Sequence, residues 1–374
     1  MSAATGYAFG AVTVDVVTDS PEISRWLTAF FEPCIRTVPF GQGDVRVHFH
    51  GDAEAFAALE RQAASADGAR PCFALDDRIV SFPSWVTPDG VALIDDDLHC
   101  VYQVADGRVG ITARPGEPRT RFGLMRVVRE LLTAHRVTHA PILDLHAAAF
   151  EVDGQAVLLA GPKYAGKTTL LCHVLASGGA RAIANDRVVV DLSSAASTAF
   201  GVPSLVGVRR DTLRLFPRLR GGPHGRPVLL HAGEEEGEPG AIASGRHVRS
   251  VSPAEFAARM GTSVAPRAPL SAVVFPEITA EVDTWALHPL SRTEGLARLE
   301  ACVHGASRRE RETTVLEALV TRGASPSRPT ALVPRLHERV RFFRGALGPR
   351  AYEGHAAAWL RELGVDAAAV GVGE

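Results

Sequence analysis

Residues Gly161-Pro162-Lys163-Tyr164-Ala165-Gly166-Lys167-Thr168 match the pattern GxxxxGK[ST], and this stretch constrains the chain more than any other. The apolar run Ala156–Ala160 before it reads as a buried strand. Thr169–Ser177 after it reads as a helix, which Gly178-Gly179 stops. A phosphate-binding loop needs this order of strand, turn and helix. Backbone N–H groups then wrap phosphates at a helix N-terminus, where the helix dipole favours negative charge. The candidate nucleotide-binding residues are Gly161, Lys163, Tyr164, Ala165, Gly166, Lys167, Thr168 and Thr169. Lys167 is expected to reach the β- and γ-phosphates of ATP or GTP, and Thr168 to hold Mg²⁺.

The bulk numbers narrow the class. At 374 residues, 46% hydrophobic and 22% charged, the chain can build packed domains. Its net charge of −2 provides no basic field, so no nucleic-acid partner is expected. The five cysteines are scattered and lack CxxC spacing, which argues against a disulfide framework or a zinc site and fits a reducing cytoplasm. No signal peptide is read in the first residues, and no run is apolar enough for a membrane span.

Two domains are expected, 1–118 and 119–374. In the first, apolar alternation over 11–17, 45–50, 78–82, 91–94, 100–104 and 109–113 predicts strands. Helical spacing over 21–31 and 53–64 predicts two helices. Asp-Gly pairs at 89–90 and 106–107 predict tight turns, hence an α+β domain with an antiparallel sheet. Asp95-Asp96-Asp97 reads as a solvated turn rather than a metal site. The amphipathic helix 119–135 is expected to lead into the second domain, with Phe122, Met125, Val128, Leu131 and Leu132 on its apolar face.

In the second domain, strands are predicted over 143–152, 156–160, 180–184, 188–192, 272–275 and 284–287. Helices are predicted over 293–303, 308–322, 336–346 and 354–363. Long charged loops are expected across 207–227 and 233–245. Three features stand in order: His146 on the strand pair before the loop, Lys167-Thr168 within it, and Asn185-Asp186-Arg187 closing the next strand. In a parallel nucleotide-binding sheet, the C-terminal strand ends converge on the phosphates.

The segments LHAAAF, DGQAVLLAGPKYAGKTTLL and GGARAIANDRVVV together resemble the HPr kinase/phosphorylase superfamily over about Leu143–Leu192. The resemblance implies an α/β P-loop kinase domain like the HPr kinase C-terminal domain, and a Mg²⁺- and ATP-dependent transfer of phosphate to a serine-like hydroxyl. The acceptor would be a peptide, a protein or a small molecule. It implies that Asp186 orients or deprotonates that hydroxyl, that Lys167 and His146 sit at the phosphates, and that Thr168, Asp186 and Asn185 face the metal. It also suggests a homo-oligomer.

Two departures from the family pattern point to an alternative. Asn185 replaces the first acid of a usual pair, and Lys163-Tyr164 replace Ser-Gly in the loop. The alternative is an ATPase or a nucleotide-gated partner-binding module. A phosphorylase is disfavoured because the acid pair is incomplete. Transition-state charge calls for an arginine beyond Lys167, with Arg187, Arg209, Arg210 and Arg246 as candidates.

Overall fold

The computed structural model describes residues 2–73, 79–105, 107–193, 196–219, 247–304, 329–353 and 356–364. The described chain divides into two compact units, with the division between His139 and Ala140.

The first unit is built on a nine-stranded sheet in the order β3-β1-β2-β4-β9-β8-β7-β6-β5. These strands are β1 (Ala3–Phe9), β2 (Val12–Thr18), β3 (Arg36–Val38), β4 (Val45–Gly51), β5 (Gly68–Phe73), β6 (Ile79–Thr87), β7 (Gly90–Asp95), β8 (Cys100–Ala105) and β9 (Arg108–Ala113). Helix α1 (Pro21–Phe31) starts where the Ser20 side chain accepts the Ile23 N–H, with Pro21 in the first turn. Helix α2 (Ala53–Ala64) starts where Asp52 accepts from Glu54 and Ala55.

The sheet is mixed rather than antiparallel. Hairpins join β1 to β2 and run from β5 to β9, whereas β4 lies parallel to both β2 and β9. Parallel neighbours need a long connection. Here α1 and α2 lie on the connections into and out of β4. Of the two Asp-Gly turns, the one at 89–90 joins β6 to β7; Asp106 lies outside the described residues.

Helix α3 (Thr120–His139) buries Phe122, Met125, Val128, Leu131 and Leu132, and it packs on β1, β2, β4 and β9. Its apolar face therefore belongs to the first sheet. The boundary falls after this helix, at 139/140, not at the expected 118/119.

The acidic triplet splits by environment. Asp96 and Asp97 are exposed, but Asp95 is buried and accepts the Leu98 N–H at 3.2 Å, with Arg126 at 3.8 Å. Burial pushes the Asp95 carboxyl up to about 6, against the pull of Arg126.

The second unit carries an eight-stranded sheet: β11-β10-β13-β14-β17-β19-β18, with β12 added on β10 and a further pairing of β11 with β17. The strands are β10 (Ile142–Val152), β11 (Gln155–Ala160), β12 (Ala180–Ala184), β13 (Arg187–Asp191), β14 (Thr198–Gly201), β17 (Arg267–Ile278), β18 (Trp285–Leu290) and β19 (Arg341–Leu347). A separate ribbon pairs β15 (Val206–Arg209) with β16 (His247–Val251). The helices are α4 (Lys167–Ala176), α5 (Arg210–Leu215), α6 (Pro253–Arg259), α7 (Arg292–Glu300) and α8 (Ala356–Glu362).

Strand β10 changes partners midway. Residues 142–146 pair with β13, and residues 147–152 pair with β11 and β12. All of its residues except His146 are buried, a pattern expected of a strand covered on both faces. Ala148, Phe150 and Val152 face the core under α4, and Leu143, Leu145, Ala147 and Ala149 face the other core. The sheet is not uniformly parallel: β11, β17 and β19 are parallel, while β10 runs antiparallel between β11 and β12. Strands β11 and β12 consequently point the same way, and both end beside the midpoint of β10.

The helix expected over 336–346 is a strand. A 3-10 stretch covers Pro329–Arg335, and β19 then inserts between β17 and β18. Phe342 and Phe343 fill opposite cores, so pairing and two-sided burial override the apparent helical spacing. The helix expected over 308–322 lies outside the described residues, as does 220–246 in the charged loops.

Two outcomes test this packing. A β-carbon on Gly295 of α7 would overlap the Phe342 ring. Gly295→Ala is expected to lower unfolding stability by about 1–3 kcal/mol, measured by urea denaturation. Asp95 titrates higher in the folded protein than in the unfolded chain, so the folded state binds more protons between the two values. Its contribution to stability is therefore present at low pH and lost as pH rises from about 4 to about 6. The difference in stability between Asp95→Asn and the parent should grow in favour of the variant across that window.

Candidate functional site

The loop after β11 is shaped by backbone geometry. Gly166, the residue before α4, has φ 93°, a left-handed conformation that glycine adopts without steric cost. It supplies no side-chain acceptor, so the first-turn N–H groups of this ten-residue helix remain available to an anion. Tyr164 also has a left-handed backbone, with φ 71°. For a bulky residue this conformation costs on the order of 1–2 kcal/mol.

Lys167 is buried at 8% exposure although it is charged. Its ammonium donates to the carbonyls of Gly161 at 2.8 Å and Pro162 at 2.9 Å, and lies 3.2 Å from His146 Nε2. Burial lowers its pKa, and Asp186 opposes that shift. The other nitrogen of the same imidazole, Nδ1, lies 3.3 Å from Asp186 Oδ1. An ammonium can only donate, so Nε2 is assigned as acceptor and Nδ1 as the protonated nitrogen facing the carboxylate. A short polar chain results: Lys167, His146, Asp186.

Topology explains why these residues meet. Ala147 pairs with Ala160 at the end of β11, and the Ala147 N–H donates to the Asp186 carbonyl at 3.1 Å. His146 is the adjacent residue on β10, at the point where that strand changes partners. The site thus joins residues 21 and 40 positions apart through a single strand crossing.

A third segment completes this edge. The His146 N–H donates to the Cys302 carbonyl at 2.8 Å, and the His304 N–H donates to the Asp144 carbonyl at 2.8 Å. The rings of His146 and His304 lie 5.9 Å apart, edge to face. Burial raises the Cys302 thiol pKa, and the Lys167 charge opposes this. His304 Nε2 is buried without a hydrogen-bond partner. Neither Cys302 nor His304 is among the sequence-predicted residues. Cys302 falls within the helix predicted over 293–303 and His304 just after it, whereas the helix ends at Glu300 and the bridge between Leu145 and Val303 brings both residues here.

The other predicted residues divide. Thr168 is half-buried in the first turn of α4, and Asp186 keeps 44% of its side chain exposed. Asn185 Oδ1 is buried with no hydrogen-bond partner. Hydroxyl, carboxylate and amide oxygens are the donor types Mg²⁺ takes. Among the described residues no group of three or more His, Cys, Asp or Glu is placed to hold a metal ion. A cation held by Thr168, Asp186 and Asn185 would complete its shell with phosphate oxygens and water. Thr169 points elsewhere: its hydroxyl is 3.0 Å from Thr212 on α5. Lys163 and Tyr164 are exposed, and Ala165 is half-buried.

The arginine candidates also separate. Arg187 is committed to Asp144, with bonds of 3.0 and 3.2 Å from Nε and 2.6 Å from a terminal nitrogen, in a pair that is nearly buried. Its charge is already neutralised. Arg209 lies over the Tyr164 ring, 4.0 Å from the centroid. Arg210 is exposed, and Arg246 lies outside the described residues.

A scan against protein-family models gives no match, and no curated protein matches the sequence. Among the described residues no helix is long and apolar enough to cross a membrane.

The Asp144–Arg187 pair braces the first half of β10 against β13, two residues from His146. Removing one partner strands the other charge. Asp144→Ala is expected to cost about 3 kcal/mol in urea denaturation, whereas breaking an exposed pair such as Arg350–Glu353 should leave the urea midpoint nearly unchanged.

Proposed function

We propose that this chain is a Mg²⁺- and ATP-dependent kinase that transfers a phosphoryl group to a serine-like hydroxyl on a peptide, protein or small molecule. The observation that carries the reading is the chain Lys167–His146–Asp186 at the mouth of a glycine-gated phosphate loop. Phosphoryl transfer asks a protein mainly for a phosphate cradle, a metal, an oriented nucleophile and positive charge. The α4 N-terminus and loop N–H groups supply the cradle. Lys167 supplies charge once it exchanges loop carbonyls for phosphate oxygens. Mg²⁺, held by Thr168 and Asp186 with Asn185 beside them, would neutralise phosphate charge. Asp186 is exposed enough to meet an acceptor hydroxyl and would take its proton as the oxygen–phosphorus bond forms and the bond from the γ-phosphorus to the bridging oxygen breaks, releasing ADP. His146 keeps Asp186 and Lys167 in register.

The resemblance to the HPr kinase/phosphorylase superfamily supports the same reading. The resemblance also suggests a homo-oligomer; the phosphate donor is ATP or GTP, and the scattered cysteines fit a reducing cytoplasm. The positive φ of Tyr164 favours a second reading, a nucleotide-binding ATPase or nucleotide-gated module, because a strained loop can serve binding without transfer.

The two readings part on one pair of variants. For a kinase, Lys167→Ala weakens MgATP binding at least about tenfold, and Asp186→Asn keeps binding within about threefold while transfer of the γ-phosphate to acceptors in host extract falls at least about a hundredfold. Calorimetric titration and transfer of labelled γ-phosphate measure these. Tight, Lys167-dependent binding with no transfer to any hydroxyl would favour the second reading.

A further inference from the structure

We propose that Arg209 brings positive charge to the transferring phosphoryl group, and that Tyr164 holds its guanidinium over the phosphate loop. This assignment rests on the phosphotransfer reading above. Arg209 ends β15 and immediately precedes α5. Helix α5 is tied to α4 by the Thr212–Thr169 hydroxyl contact of 3.0 Å, one residue beyond Thr168. The backbone that carries Arg209 is thus fixed relative to the loop. Its guanidinium carbon lies 4.0 Å from the centroid of the Tyr164 ring, and Tyr164 is 72% exposed at the loop's tip. A hydrogen bond from Arg209, with its charge, holds the Tyr164 phenol below its usual pKa.

Its contact with the loop residue Tyr164, together with the lack of a neutralising carboxylate, favours Arg209 over the other candidates. Arg187 is neutralised by Asp144, and Arg344 by Glu277 and Glu281. Among the described residues no carboxylate pairs with Arg209. Stacking on an exposed ring is a weak attachment, whereas a guanidinium on a phosphoryl oxygen makes charge-assisted, bidentate bonds. The guanidinium can therefore leave the ring for a developing anion. This also gives Tyr164 a reason to occupy a strained position where glycine would relax the turn: its ring provides the platform.

The test titrates the full-length protein with MgADP, alone and with aluminium fluoride, a planar anion that stands in for the transferring phosphoryl group. The parent should bind MgADP at least about tenfold tighter with the fluoride present. Arg209→Ala should reduce that gain to under about threefold and leave the Kd for MgADP alone within about threefold. Tyr164→Ala, which removes the ring, should also reduce the gain; unfolding midpoints verify that each variant folds. The assignment is overturned if Arg209→Ala keeps the full gain, if it loses MgADP binding to the same extent, or if the parent binds MgADP but shows no gain. Equal MgADP binding by the parent and Lys167→Ala, or none by either, would instead remove the phosphotransfer reading on which the assignment stands.

Discussion

Strand β10 is the constraint on which the second unit depends. One strand pairs with β13 over its first half and with β11 and β12 over its second, and both of its faces are buried. Such a strand tolerates few polar groups. His146 is its only half-buried residue, placed where the pairing changes, and its polarity is satisfied by Lys167 and Asp186. The site is therefore a by-product of the crossing. The ends of β11 and β12 reach β10 at adjacent positions, and the two turns that follow them are forced together.

Burial then sets the chemistry. Lys167 sits in a position that penalises its charge, and two carbonyls, an imidazole and the nearby Asp186 offset that penalty. A lysine held this way is already oriented along the loop. Asp144–Arg187, on the same strand pair, does a different job. It fixes the strands and takes Arg187 out of contention for the substrate. Arg187, which opens β13, is held by a carboxylate, whereas Arg209, which ends β15, lies over the Tyr164 ring.

Much of this was legible before the structure. The strand, loop and helix order around Gly161–Thr168 was readable because glycine placement and an apolar run are local signals. The extents of α1 and α2 were readable from the helical spacing of their apolar residues over 21–31 and 53–64. The expectation that His146, Lys167 and Asp186 lie close together rested on a parallel sheet and on the family resemblance, whereas they meet where an antiparallel β10 changes partners. Other features depend on contacts distant in sequence. Strand β19 looked helical because Phe342 and Phe343 are both apolar, and only its insertion between β17 and β18 shows that they face opposite cores. Short strands such as β3, β14 and β15 carry too few residues for a periodicity. The mixed order of the first sheet follows from where α1 and α2 carry the chain, which no turn signal reports. Cys302 and His304 join the site through a single bridge, far from any motif.

The polar chain itself is the most direct thing to measure. Nitrogen-15 NMR of histidine-labelled protein, with His146→Gln used to assign one of the 14 histidines, reports the tautomer and its response to nucleotide. The account predicts a neutral His146 with the proton on Nδ1, and a clear shift of Nε2 on adding MgATP as Lys167 turns to phosphate. A proton on Nε2 in the neutral ring, or a spectrum indifferent to saturating MgATP, would contradict it.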